Sequence, residues 1–317
     1  MKAHERELLQ RFFSMRDDNG IANTRKVQDN ARIIRRLDST PKDKSFEVAD
    51  SPITPPPAGM PLGVVEVDDK LVGLGIHIFN EDVYPIQQFE IYLRDCDLVG
   101  DLDLSGCTDL VFVDAYRNRI RSATVSDMPA LRILGLQGNE ITQLDARGLS
   151  ACQGIDIGNN RLASIDVTGN PELVELYVND NELTALDTTG NRKLKYLRCQ
   201  NNRLKTLDVT ANPELRHLYA TGNPLASIRA CAPGSEGCRP LVLTAEGAGC
   251  VGLSFNPLYN AQWKETGEWE QSYHAYPAEG CKFLGWFDAD GELLEDKADW
   301  IDTYGTSRII TARFDGR

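Results

Sequence analysis

Histidine is scarce in this chain: four of 317 residues, His4, His77, His217 and His274. None stands in a metal-protease spacing, and neither a glycine-rich phosphate loop nor a nucleophile elbow occurs. No converging catalytic groups can be named, so the sequence points away from an enzyme, and neither a metal nor a cofactor is expected. No apolar run approaches the roughly 18 residues of a membrane-spanning helix. The N-terminal stretch MKAHERELLQRFFSMRDDNG lacks the unbroken apolar core of a secretory leader. Retention inside the cell and a leader outside this chain both stay open. Basic residues are the minority, 34 against 47 acidic, and a net charge of −13 repels nucleic acid and anionic lipid. No two of the eight cysteines stand in the C-x₂₋₄-C spacing of zinc sites.

The charge is uneven. Residues 1–45 hold 11 basic and 7 acidic groups, a local +4 on an otherwise acidic body. Such an arm is expected to stay solvated. Within it, Asn23 followed by TRKVQDNARIIRRLD reads as a capped helix with Val27, Ile33, Ile34 and Leu37 on one stripe. Residues 46–62 include five prolines between Pro52 and Pro61 and read as a stiff linker. Residues 63–88 contain GVVEVDDKLVGLGIHIF, an alternating hairpin pattern with VDDK at its turn.

One column of a single residue type organises the middle of the chain. Asn118, Asn139, Asn160, Asn181, Asn202 and Asn223 recur at one constant spacing of twenty-one. Apolar residues recur in phase, as with Leu173, Leu176, Val178 and Leu183 around Asn181. This is the LxxLxLxxN/CxL unit of leucine-rich repeats, here over residues 89–230. A strand this short buries its leucines only by stacking on the next coil. The inward-facing turn backbone needs an amide with both donor and acceptor, so the asparagine column is read as structural. The first repeat has Cys96 at the asparagine position and is one residue longer than the rest. Cys96, Cys107, Cys152 and Cys199 fit as small core residues.

On the returning arm, LDVTGNPEL, LDTTGNRKL and LDVTANPEL place aspartate and asparagine in a second column. So short a repeat leaves no room for a helix there, and short extended segments or single tight turns are expected. Asp103, Asp145, Asp166, Asp187 and Asp208 could form a calcium ladder, but local bonding to backbone N–H groups two residues on is the expected role.

The units LASIDVTGNPELVELYVNDNELTALDTTGN resemble internalin-type repeats of bacterial surface proteins. Residues 231–317 change to AYPAEGCKFLGWFDADGELL and IITARF, which resemble the divergent internalin B-repeat, a small β-rich module. Phe283, Trp286 and Phe287 are read as that module's core. Cys231 and Cys238 bracket APGSEG, a loop that a disulfide could close. The fold expected is therefore mainly β: a solenoid with a parallel concave sheet, then a small β-rich domain, with a short helical N-terminal segment. The resemblance implies a secreted or cell-surface location.

In this fold, residues between the buried leucines face outward. One row runs Glu90, Phe112, Ile133, Gly154, Glu175, Tyr196, His217. The next runs Tyr92, Asp114, Gly135, Asp156, Tyr177, Arg198, Tyr219, and Tyr116 stands in the third. Tyr177, Tyr196, Arg198, His217 and Tyr219 fall on three adjacent strands and form the leading candidate for a docking patch. Tyr92, Phe112 and Tyr116 are candidates at the other end. The function expected is non-catalytic, adhesin-like docking of a protein or glycan by a monomer. The alternative is an intracellular scaffold or effector whose N-terminal helix is a second contact.

Overall fold

The structure is a computed structural model of the whole chain. It describes residues 3–23, 25–26, 64–67, 70–74, 95–231, 240–259, 265–302 and 309–315. The chain divides into two compact units, Met1–Leu149 and Ser150–Arg317.

The first unit holds one helix, α1 (Ala3–Ser14), and seven strands: β1 (Val64–Val67), β2 (Lys70–Leu74), β3 (Val99–Asp103), β4 (Phe112–Asp114), β5 (Arg119–Thr124), β6 (Ile133–Gly135) and β7 (Gln143–Asp145). Each coil gives one strand to each of two parallel ladders. β2, β4 and β6 pair with Phe112 opposite Ile133, and β3, β5 and β7 pair with Ala123 opposite Leu144. The leucines between the ladders, among them Leu104, Leu110, Leu131 and Leu134, are fully buried. β1 folds back antiparallel on β2, with Val67 opposite Lys70, and the two residues between them in the expected VDDK turn lie outside the described residues.

The described part of the N-terminal arm, residues 3–23 with 25–26, is docked. Leu9, Phe12 and Phe13 of α1 are buried, and the His4 ring lies 3.1 Å from the Ser105 carbonyl. Asn23 is also buried, but not as a helix cap. Its amide donates to the carbonyls of Phe12 (3.0 Å) and Val99 (2.9 Å), and its oxygen accepts the Val99 N–H at 3.0 Å. One side chain thus satisfies both backbone groups of Val99 on β3, the first strand of its ladder. Lys26 adds a charge-assisted bond at 2.9 Å to Asp97. The basic groups read as a solvated arm serve partly to anchor it. The helix expected over 24–38 and the linker over 46–62 lie almost wholly outside the described residues.

The second unit continues the same plan through β8 (Gly154–Asp156), β9 (Glu175–Tyr177), β10 (Tyr196–Arg198), β11 (Thr206–Asp208), β12 (His217–Tyr219) and β13 (Ser227–Cys231). Beyond them come β14 (Pro240–Glu246), β15 (Gly249–Tyr259), β16 (Glu265–Pro277), β17 (Phe283–Phe287), β18 (Leu293–Glu295), β19 (Asp299–Asp302) and β20 (Ile309–Phe314). The C-terminal strands do not make sheets of their own. β15 pairs antiparallel with β12, and β16 and β19 extend that sheet. β14 pairs antiparallel with β13, and β20, β17 and β18 extend the other. Both open edges of the last coil are thereby covered, which a solenoid requires. The space between is filled by Phe255, Tyr273, Trp286 and Ile310, all buried. The Trp286 indole donates to the Lys297 carbonyl at 3.0 Å, so this aromatic group is core.

The asparagine column does what its chemistry allows. The Asn181 oxygen accepts the Leu162 N–H at 2.9 Å, and its amide donates to the carbonyls of Ile157 (3.0 Å) and Val178 (3.2 Å). Asn202 and Asn223 repeat the pattern one and two coils on. Asn139 makes it in the first unit with Ile120 and Ala115. Asn118 and Asn160 are buried in the same position. Asn118 receives both Cys96 and Leu98 N–H groups, consistent with a first repeat one residue longer. The position before each ladder asparagine is left-handed: Arg117, Gly138, Asn159, Asp180, Asn201 and Gly222 all have φ between 50° and 70°. Asp95, at φ 53°, precedes Cys96 in the same way. Asparagine, aspartate and glycine tolerate that conformation best.

The returning arms contain tight turns, as at Asn170 N–H to Val167 O and Leu173 N–H to Asn170 O. The second asparagine column is buried and self-linked: Asn212 donates to the Asn191 carbonyl at 2.8 Å, and Asn191 to that of Asn170 at 2.9 Å. Asp103, Asp145, Asp166, Asp187 and Asp208 each accept the N–H two residues on, at 2.9–3.3 Å, the local role expected of them.

Candidate functional site

β9, β10 and β12 lie side by side in register. Tyr196 stands opposite Glu175 on one side and His217 on the other; Arg198 stands opposite Tyr177 and Tyr219. The central residues Leu176, Leu197 and Leu218 are fully buried. Alternation along a strand therefore sends their neighbours to the outer face. Tyr177, Tyr196, Arg198, His217 and Tyr219 come together there, as their positions in the repeat require.

Their contacts are specific. The Tyr196 ring and the His217 imidazole stack at 4.3 Å between centroids and 10° between planes. The Arg198 guanidinium lies 5.0 Å from the Tyr177 ring and 5.5 Å from the Tyr219 ring, a cation held between two aromatic faces. The Tyr177 hydroxyl donates to Glu175 at 3.2 Å. Glu175 is only 3 % exposed. Burial lifts its carboxyl above the usual carboxylate range, opposed by the Tyr177 hydroxyl bond and the charge of Arg198. Desolvation, then the positive charges of Arg216 and Arg198, hold the His217 imidazole down to about 4, so it is neutral at pH 7.

The same face runs on beyond the repeats. Tyr219 stands opposite Ser254 on β15, Ser254 opposite Ser272 on β16, and Ser272 opposite Ile301 on β19. Sequence reasoning missed this extension because the repeat period stops at β12. The alternation of Leu253, Phe255 and Tyr273, all buried, carried the signal.

At the other candidate end the expectation fails. Phe112 and Tyr116 are 7 % and 4 % exposed and do not form an open surface. The Tyr116 ring packs against Gly135, where a Cβ would lie in ordinary contact with its Cζ at 3.5 Å. Phe112 has the buried, apolar Ile133 directly opposite. Tyr92 lies outside the described residues. Cys231 is disulfide-bonded, and its expected partner Cys238 lies outside the described residues. Cys152 and Cys199 are buried free thiols pushed up to about 12 by desolvation. Among the described residues no group of three metal-ligating side chains comes together, and no helix is long and apolar enough to cross a membrane.

Short coils of constant length, an amide ladder and paired parallel sheets define a leucine-rich repeat solenoid. Solved structures similar to this chain include two bacterial proteins. One is a leucine-rich repeat protein from Leptospira interrogans, with 23 % identity and a TM-score of 0.35 over 44 % of this chain and 40 % of that one. Another is the functional domain of InlJ from Listeria monocytogenes, which includes a cysteine ladder, with 14 % identity and a TM-score of 0.23 over 66 % and 48 %. The chain spans less than half the length of either. Likenesses this distant say nothing about a ligand, and the fold stands on the coil geometry itself. No family model matches the sequence, and no curated protein is similar to it.

Proposed function

We propose that this chain is a binding protein that docks a macromolecular partner on the face carrying Tyr177, Tyr196, Arg198, His217 and Tyr219. One observation carries the reading: an exposed arginine is fixed between two tyrosines in a preformed cluster. Preorganised tyrosine and arginine lose little entropy on binding and dominate interface hot spots. An adhesin-like role outside the cytosol is the form we favour. The disulfide at Cys231 supports it, because such bonds persist in oxidising compartments. The scaffold reading loses support from α1, whose apolar side chains are spent on the fold.

The test uses arrays of defined extracellular proteins and glycans probed with the full chain and with Tyr177→Ala/Tyr219→Ala. The double variant loses the retained partner at least a hundredfold, and Tyr219→Ala alone, which leaves the Tyr177–Glu175 bond intact, weakens it while keeping the parent melting temperature. Unchanged affinity in that variant would sink the assignment.

A further inference from the structure

On the docking reading above, the cluster also constrains the chemistry of its partner. Basic residues described elsewhere in the repeats repeatedly find acids on the adjacent coil. Lys193 meets Glu172 at 2.6 Å, Arg203 meets Glu182 at 3.0 Å, Arg229 meets Asp208 at 3.8 Å and Arg119 meets Glu140 at 3.4 Å. Arg198 departs from this pattern. Its register partners on the two adjacent strands, Tyr177 and Tyr219, are both tyrosines. Among the described residues no carboxylate lies within ion-pair distance of its guanidinium and no group hydrogen-bonds to that guanidinium. A planar fork of five N–H donors is left pointing outward, flanked by rings that keep water from its faces.

Charges of both signs surround the cluster, Glu175 and Asp156 toward Tyr177 and two arginines toward His217. His217 senses both Arg198 and Arg216 as positive neighbours, on a chain whose net charge is −13. Glu175 lies beneath the patch, 3 % exposed and bonded to the Tyr177 hydroxyl, so it does not occupy the outward donors of Arg198.

Ring orientation separates the two partner classes. Sugars stack on exposed aromatic faces, but here a face of Tyr196 is taken by His217, and a face each of Tyr177 and Tyr219 by Arg198. What the surface offers unpaired is the guanidinium fork of Arg198, which suits a carboxylate better than a neutral pyranose.

We infer that the partner is a protein segment that places an acidic side chain on Arg198 between Tyr177 and Tyr219, its carboxylate taking the two parallel N–H groups of the guanidinium.

The test titrates the full chain with three probes: a blocked decapeptide alternating glutamate and tyrosine, its glutamine counterpart, and a hexasaccharide with alternating uronic acids. Binding is followed by calorimetry and by backbone amide shifts. The glutamate peptide binds at least tenfold more tightly than the glutamine peptide and shifts β9, β10 and β12. Arg198→Gln abolishes that difference, and Arg198→Lys restores only part of it. Arg198 is exposed, so both variants keep the parent melting temperature. Equal affinity for the two peptides, binding of none of the probes, or Arg198-dependent binding of the hexasaccharide alone would each overturn the inference. Failure of the docking reading itself looks different: a peptide binds, but the shifts fall outside β9, β10 and β12, and Tyr177→Ala/Tyr219→Ala leaves it unchanged.

Discussion

At the scale of single residues, the fold is held by amides that no apolar side chain can replace. Removing the Asn181 side chain strands the Leu162 N–H inside the protein, while the Ile157 carbonyl keeps only its bond from Asn160. An unpaired buried group costs about 1–3 kcal/mol. Asn181→Ala therefore loses about 2 kcal/mol in a urea titration. Asn181→Asp fares no better, since it keeps the acceptor but turns a charge toward carbonyls. Asp208→Ala, which removes exposed bonds from the Thr210 N–H and hydroxyl and a loose surface ion pair with Arg229, costs about 0.5–1 kcal/mol by the same measurement. Equal losses at the two positions contradict the assignment of the ladder as structural. This ladder was legible in the sequence because period and chemistry agree: six asparagines in one phase leave few alternatives. The left-handed column before it was not. Its residues, Arg117, Gly138, Asn159, Asp180, Asn201 and Gly222, share a backbone conformation and no side-chain type.

At the scale of elements, the ends of the coils explain what the sequence left hidden. The repeat period announces strands such as β9 and β10 but says nothing about how a first or last strand is covered. Asn23 was legible only as a helix cap, because its partner Val99 is far away along the chain. Asn23→Ala leaves the N–H and carbonyl of Val99 unpaired and loosens the docking of α1. It is expected to lower stability by about 2–3 kcal/mol and to speed amide exchange at Val99 and Phe13 more than at β7. Uniform exchange across the first unit contradicts that role. At the opposite end the hydrophobic alternation of β15 and β16 was visible, whereas their pairing onto β12 was not, since antiparallel partners so distant share no local signal. Burial of Phe112 and Tyr116 escaped notice for a related reason. Outward alternation fixes the face of a residue but not whether its neighbours leave it open, and the Tyr116 ring packs over Gly135 of the next coil.

At the scale of the whole molecule, a chain poor in histidine and free of catalytic motifs spends its regularity on presenting side chains in rows. In the second unit those rows bring two tyrosines around one unpaired arginine and stack a third on a neutral histidine. A rigid scaffold makes such a cluster cheap to bind because little is ordered on contact. The docking claim is tested most directly by amide exchange on the full chain with and without the partner retained on the array. Added protection is expected to centre on Glu175–Tyr177, Tyr196–Arg198 and His217–Tyr219, reaching Ser254. Protection confined to β17, β18 and β20, with β9, β10 and β12 unchanged, would contradict docking on this face.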